Sequence, residues 1–145
     1  MSEQGRLTIA VDLDGTLAHY DGWKGQREIG APLPGAREAL EQLVAAGHRV
    51  MVYTCRCGDW QRETWGDGLS RDESAAIVKA WLDEHGFHGS VEVYTGDGKP
   101  LADYYVDDRA IVCRPQDAGE RAWQTALFII GLDVSAGEKH LRSEG

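Results

Sequence analysis

Leu7-Thr8-Ile9-Ala10-Val11-Asp12-Leu13-Asp14-Gly15-Thr16 is the stretch on which the reading of this chain turns. Its first five residues are an apolar, β-branched run of the length of a buried strand. Polarity then switches within one residue. Two aspartates stand two positions apart, so both side chains point to one side if the pleat persists. Asp-Gly is also an ordinary turn signal, which is the simpler reading of the same residues. A buried strand that ends in carboxylates predicts a polar site at the carboxyl edge of a parallel sheet.

The flanking sequence fits such a sheet. Pro34 stands where a helix starts, and Ala36, Ala39, Leu40, Leu43 and Val44 recur at helical spacing before Gly47. Arg49 to Thr54 reads as a second strand. Ser70-Arg71-Asp72-Glu73 is a capping box, in which serine and glutamate three apart satisfy orphan backbone donors. It opens a helix carrying Ile77, Ala80, Trp81 and Leu82, closed by Gly86. Val91-Glu92-Val93-Tyr94 predicts a third strand, Tyr104-Tyr105-Val106 a fourth and Ile111-Val112-Cys113 a fifth. A last helix is expected from about Ala118 to Ile130, followed by a polar, frayed tail from Ser135. Strands alternating with helices predict an α/β fold, a Rossmann-like three-layer sandwich around about five parallel strands. No repeat or low-complexity linker divides the sequence, so residues 1–145 read as one domain.

Composition narrows the function. With 145 residues and 42% hydrophobic content, the chain can bury a sizeable core. Its net charge of −9 disfavours broad contact with nucleic-acid phosphates or anionic membranes. Met1 to Arg6 is polar, no apolar run reaches membrane-spanning length, and a cytoplasmic protein is expected. Cys55, Cys57 and Cys113 form no even framework and no zinc spacing, which predicts reduced structural thiols.

The strand ends are where the chemistry collects. Strand one ends in Asp12 and Asp14, strand two in Thr54, and strand four in Asp107-Asp108, with Lys99-Pro100 just before it. Carboxylates brought that close repel, and a hard dication such as Mg²⁺ resolves the conflict while accepting a phosphate oxygen. Lys99 and the Thr54 hydroxyl would add fixed charge and a hydrogen bond to a transferring group. The backbone at Leu13 and Gly15 would approach the phosphate closely. Asp12 can attack phosphorus, splitting one displacement into two. Asp14 can protonate the leaving alkoxide and later activate water, given a pKa raised by a partly dry pocket.

These four motifs, in this order and on these elements, resemble the haloacid dehalogenase (HAD) superfamily over the stretch from Leu7 to about Val112. The resemblance implies a phosphatase with Asp12 as nucleophile and Asp14 as acid/base. It implies Mg²⁺ held by the Asp12 carboxylate, the Asp14 carbonyl and the Asp107-Asp108 pair, with Asp108 ahead of Asp107, and phosphate bound by Thr54 and Lys99. An Asp at the second position separates phosphatases and phosphomutases of this superfamily from its dehalogenases and P-type ATPases. Larger members insert a cap after strand one or three. Here Leu17–Leu33 and Gly96–Ala102 are too short, which implies the capless type, whose open site suits a bulky substrate or one enclosed by a neighbouring subunit; the partner expected of the phosphatase itself is a small phosphorylated substrate.

Other residues divide between sharper and plainer roles. Thr54-Cys55-Arg56 resembles a Thr/Ser-x-Arg in which arginine contacts substrate, against a solvated arginine. Arg109 reads as a partner of the acidic pair. His19, Tyr20, Trp23, Lys24 and Arg27 lie where the superfamily has a mobile flap, although packing is the commoner role for any one of them. Trp60 and Trp65 could stack on a base or sugar, with packing of the 57–69 loop favoured. His85 and His88 are no metal pair, since Gly86 breaks the helix between them. Three further readings stay open. One is a nucleic-acid 3′-end phosphatase, through a likeness to the phosphatase domain of polynucleotide kinase, although the acidic charge weighs against it. The others are a receiver-like phosphoacceptor and a degenerate phosphate-binding module.

Overall fold

The structure, a computed structural model, describes residues 5–135. The chain clusters into two compact units. The first runs to Tyr20 and resumes over Lys24–Asp108; the second joins Asp21–Trp23 to the chain from Arg109. No Gly/Pro/Ser-rich linker stands at Asp108-Arg109, so composition gives no sign of that division.

The first unit holds the sheet. Its strands are β1 (Thr8–Val11), β2 (Arg49–Val52), β3 (Glu92–Val93) and β4 (Tyr104–Val106), all parallel, in the order β3-β2-β1-β4. Helix α1 (Ala36–Ala45) connects β1 to β2, and α3 (Arg71–Glu84) lies between β2 and β3. These two crossovers step away from β1 in one direction. The chain then returns to the opposite side of β1 to lay down β4. That reversal makes the carboxyl end of β1 the switch point, where ligands of such sheets bind.

Alternation along the strands builds the core. Ile9, Val11 and Leu13 share a face with Val50 and Val52, and pack in one buried cluster with Leu40 of α1 and with Val78, Trp81 and Leu82 of α3. Leu13, Val52 and Leu82 have no exposed surface. Each such side chain contributes about 1.5–3 kcal/mol by leaving water. Helix α3 starts as expected: Ser70 accepts from the Glu73 amide while the Glu73 carboxylate accepts from the Ser70 amide. It ends at a glycine, Gly86, with φ of 76°.

The fold class is as expected, a parallel sheet flanked by helices, with four strands in place of about five. Residues 111–113 join no ladder, and Val112 is 80% exposed. The run is only three residues long, and Pro115, with no amide proton, already opens α4 (Pro115–Ala118). β4 is therefore a sheet edge. The expected last helix is α5 (Glu120–Ser135), and Gly119, with φ of 59°, separates it from the short α4 ahead of it. The 57–69 stretch, expected as a loop, contains helix α2 (Asp59–Trp65), preceded by a 3₁₀ turn at Cys55–Cys57. No element lies within 96–102, and 17–33 holds only isolated bridges, so no cap domain interrupts the described chain. The tail beyond Ser135 lies outside the described residues. No helix among them is long and apolar enough to cross a membrane.

Candidate active site

The acidic ends of β1 and β4 are adjacent because the ladder continues past the strands. The Asp12 amide donates to the Val106 carbonyl at 2.9 Å, which sets Asp12 beside the start of Asp107-Asp108. Carboxylate oxygens of Asp12, Asp107 and Asp108 lie within 4.8 Å of one another. The two acidic stretches, 95 residues apart in sequence, thus form one cluster.

The cluster is electrostatically unstable by itself. Burial, then the Asp107 charge and a hydrogen bond with Asp108, push the Asp12 carboxyl from 3.8 up to about 8. Without a cation the cluster holds a proton that an isolated aspartate would have lost. Three hard oxygen donors in that state fit a hard dication of the magnesium kind.

Below β1 the chain turns on Leu13, whose carbonyl accepts from the amides of Thr16, Leu17 and Ala18. Gly15 is needed here for two reasons. Its φ is 85°, and a Cβ at that position would lie 2.2 Å from Oδ2 of Asp108 and 2.8 Å from its Cγ. Its amide donates to the Ala18 carbonyl at 2.8 Å. Gly15 thus makes room for an acidic side chain of the cluster, where the sequence suggested a phosphate cradle. The Leu13 amide is turned to the Asp12 carboxylate, which it helps to keep ionised. Gly15→Ala is expected to displace Asp108 and to destabilise the fold by about 1–3 kcal/mol. Loss of most of the Mg²⁺-induced rise in melting temperature would report the displacement; an unaltered rise would contradict it.

Asp14 meets different surroundings from those expected. It is largely buried, and it also has a bidentate partner. Arg56 Nε donates to Asp14 Oδ2 at 2.7 Å and Nη2 to Oδ1 at 2.9 Å, with the two side chains 3% and 19% exposed. The remaining guanidinium protons go to loop carbonyls. Nη1 donates to those of Gly25 and Gln26, and Nη2 to that of Glu28. All five guanidinium N–H donors are used. Arg56 is thus not solvated; it ties Asp14 to residues 25–28.

Thr54 is 5% exposed and caps the 3₁₀ turn, its Oγ1 accepting from the Arg56 amide at 3.2 Å. The hydroxyl proton remains available for an acceptor. Lys99 is exposed, with Nζ 4.1 Å from the centre of the Tyr105 ring on β4, two residues before Asp107.

The stretch after β1, expected as a mobile flap, is pinned at several points. Its ends pair through His19 with Ala31 and Leu33 with Leu17, and Trp81 Nε1 donates to the Gly30 carbonyl at 3.0 Å. Gln26 is the residue that sequence reasoning misses. It is 1% exposed; its side-chain nitrogen donates to the Arg56 carbonyl and to Ser74 Oγ, and its amide to Asp67. Nothing in a glycine-rich loop marks one glutamine as buried, and its partners are 30 or more residues away. All three cysteines are free, and burial pushes the Cys57 thiol up to about 11, so it is unreactive at neutral pH.

No family model matches this chain, and no curated protein matches it. Among solved structures, the chain is similar to the conserved protein coded by a locus of Bacteroides thetaiotaomicron. The two share 22% identity over 82% of this chain and 91% of the other, at a TM-score of 0.41.

Proposed function

We propose that this chain is a magnesium-dependent phosphomonoester hydrolase of the HAD type, working through an aspartyl phosphate on Asp12. The observation that carries this reading is the convergence of Asp12, Asp107 and Asp108, with the Asp12 carboxyl pushed up to about 8 in the absence of a cation. A cluster that holds an unneeded proton is one prepared to exchange it for a metal.

Asp12, Asp107 and Asp108 would hold the cation, with the Asp14 carbonyl as a further ligand. When bound, Mg²⁺ supplies positive charge that offsets the repulsion between a phosphate dianion and an attacking carboxylate. An Asp12 oxygen attacks phosphorus and the bond to the leaving oxygen breaks. Asp14, protonated from solvent as it gives up one of its two Arg56 hydrogen bonds, delivers that proton to the leaving oxygen. In the second step Asp14 takes a proton from water, which opens the acyl phosphate and frees Asp12. The Thr54 hydroxyl donates to a phosphoryl oxygen and Lys99 adds charge beside it.

The test is hydrolysis of 4-nitrophenyl phosphate and of an alkyl phosphate, with Mg²⁺ and with chelator. Both activities should require the cation. Asp14→Asn should lower steady turnover by about 10²- to 10⁴-fold. It should nevertheless release one equivalent of 4-nitrophenolate in a burst, because that leaving group needs no proton. Absence of Mg²⁺-dependent turnover from the wild-type protein would refute the hydrolase reading. An acyl phosphate persisting for minutes in the wild-type protein would instead favour a phosphoacceptor.

A further inference from the structure

The carboxyl ends of β2 and β3 enclose a cavity of about 420 Å³ beside Thr54, within the usual range for small-molecule sites. Thr54 belongs both to its wall and to the catalytic edge, so the cavity opens where the organic part of a bound phosphate ester would extend. Its walls are aromatic. Tyr53 and Tyr94 meet edge to face, with centroids 6.0 Å apart and an interplanar angle of 81°. Trp60, on α2, lines the same space with 70% of its surface exposed. α2 buries none of its residues, so this tryptophan is not committed to a core. Gly96 accommodates the Tyr94 ring, since a Cβ there would lie 2.5 Å from the Tyr94 hydroxyl oxygen.

The polar rim adds a second constraint. Arg71 donates to Asp59 Oδ1 at 2.9 Å and to Asp97 Oδ1 at 2.8 Å, and Arg62 also pairs with Asp59. Arg71, the arginine that lines the cavity, is therefore already neutralised by carboxylates, which leaves no surplus cation among the lining residues for additional phosphates. Both aspartates use Oδ1 in these contacts, so Oδ2 of each remains an acceptor for a ligand N–H or O–H.

We propose that this cavity is the leaving-group pocket, taking a planar ring compound that carries hydrogen-bond donors. The favoured substrates are then monoesters of the nucleoside-monophosphate kind, with a single phosphate. The proposal rests on the phosphatase reading for the direction of the substrate. The ring stacks against Trp60 and the tyrosines, its donors reach the rim carboxylates, and the phosphate lies at Asp12. A polyanionic continuation, as in a nucleic-acid end, meets only an arginine already paired with two carboxylates at this rim and an overall charge of −9.

Nucleoside 5′-monophosphates and ribose 5-phosphate provide the test, since both release a primary sugar alkoxide and differ in the ring alone. The ring should raise kcat/KM by about tenfold or more, as base–aromatic stacking does in other sites. In Trp60→Ala, a change at an exposed position, that ratio should collapse towards one. Separately, an unphosphorylated nucleoside should quench tryptophan fluorescence in the wild-type protein and not in Trp60→Ala. Equal turnover of the two esters would overturn the pocket and leave the hydrolase standing. A 3′-phosphorylated oligonucleotide as the better substrate would overturn it too. Trp60-dependent nucleoside binding without hydrolysis of any ester would keep the ring site and refute the hydrolase.

Discussion

Asp12→Asn is expected to lower phosphate-ester turnover by at least about 10⁴-fold while making the metal-free protein more stable at neutral pH. The first effect follows from removing the attacking oxygen, for which no neighbouring group substitutes geometrically. The second follows from the site's electrostatics. Burial and the acids beside it move the Asp12 carboxyl from 3.8 up to about 8 in the cation-free fold. The folded state thus holds the proton more tightly than the unfolded chain does. The stability this contributes is fully present below about pH 4 and is lost as pH rises towards 8, with a slope of at most about 1.4 kcal/mol per pH unit. Asparagine carries no such proton, so the variant should lack this slope. Thermal unfolding in chelator from pH 5 to pH 8 should show wild type falling relative to Asp12→Asn. Added Mg²⁺ should reverse the order, because wild type gains about 2.7 kcal/mol at a hundredfold excess over Kd while the variant has lost a ligand. Retained turnover in the variant would remove Asp12 from the nucleophile role. Parallel pH curves would show that the cluster is not under the strain described.

That contrast between function and stability also explains what was legible in the sequence. β1 was readable because five apolar residues give way to acids within one position, and the position of a site at the strand ends followed from the alternation of strands and helices. The meeting of Asp12 with Asp107 and Asp108 could be anticipated for the same reason: parallel strands bring their carboxyl ends to one edge. α3 was readable from its capping box. α2 was not, since seven residues make two turns with no buried face and hence no apolar period. Residues 111–113 have strand composition but no neighbour in the ladder, and pairing is a property of the fold rather than of three apolar residues. The role of Arg56 was hidden most completely. Its partners are mainly carbonyls of a loop, and backbone acceptors leave no mark in composition. Gly15 shows the same principle in reverse: a motif glycine whose requirement comes from a carboxylate 93 residues later.

Arg56→Ala should therefore behave as a folding lesion as well as a catalytic one. The Arg56 side chain is 3% exposed and its guanidinium supplies five hydrogen bonds, two to Asp14 and three to the carbonyls of Gly25, Gln26 and Glu28. Truncation leaves a largely buried carboxylate and three acceptors with their partner gone. Breaking one side of such a pair costs about 3–5 kcal/mol, enough to lower the melting temperature by roughly 10 °C or more in a chain of this size. Arg56→Lys should recover only part of this, because an ammonium has three donors and no planar fork to meet Asp14 and the loop together. If Arg56 instead contacted substrate phosphate, as its place after Thr54 suggests in sequence, truncation would raise KM with the melting temperature little changed. The double variant Asp14→Asn/Arg56→Ala separates the two cases. With the carboxylate already neutral, losing Arg56 should cost distinctly less stability than it does in the wild-type background. Additive losses would mean that the pair seen in the fold does not hold Asp14, and that the acid/base is oriented by something else.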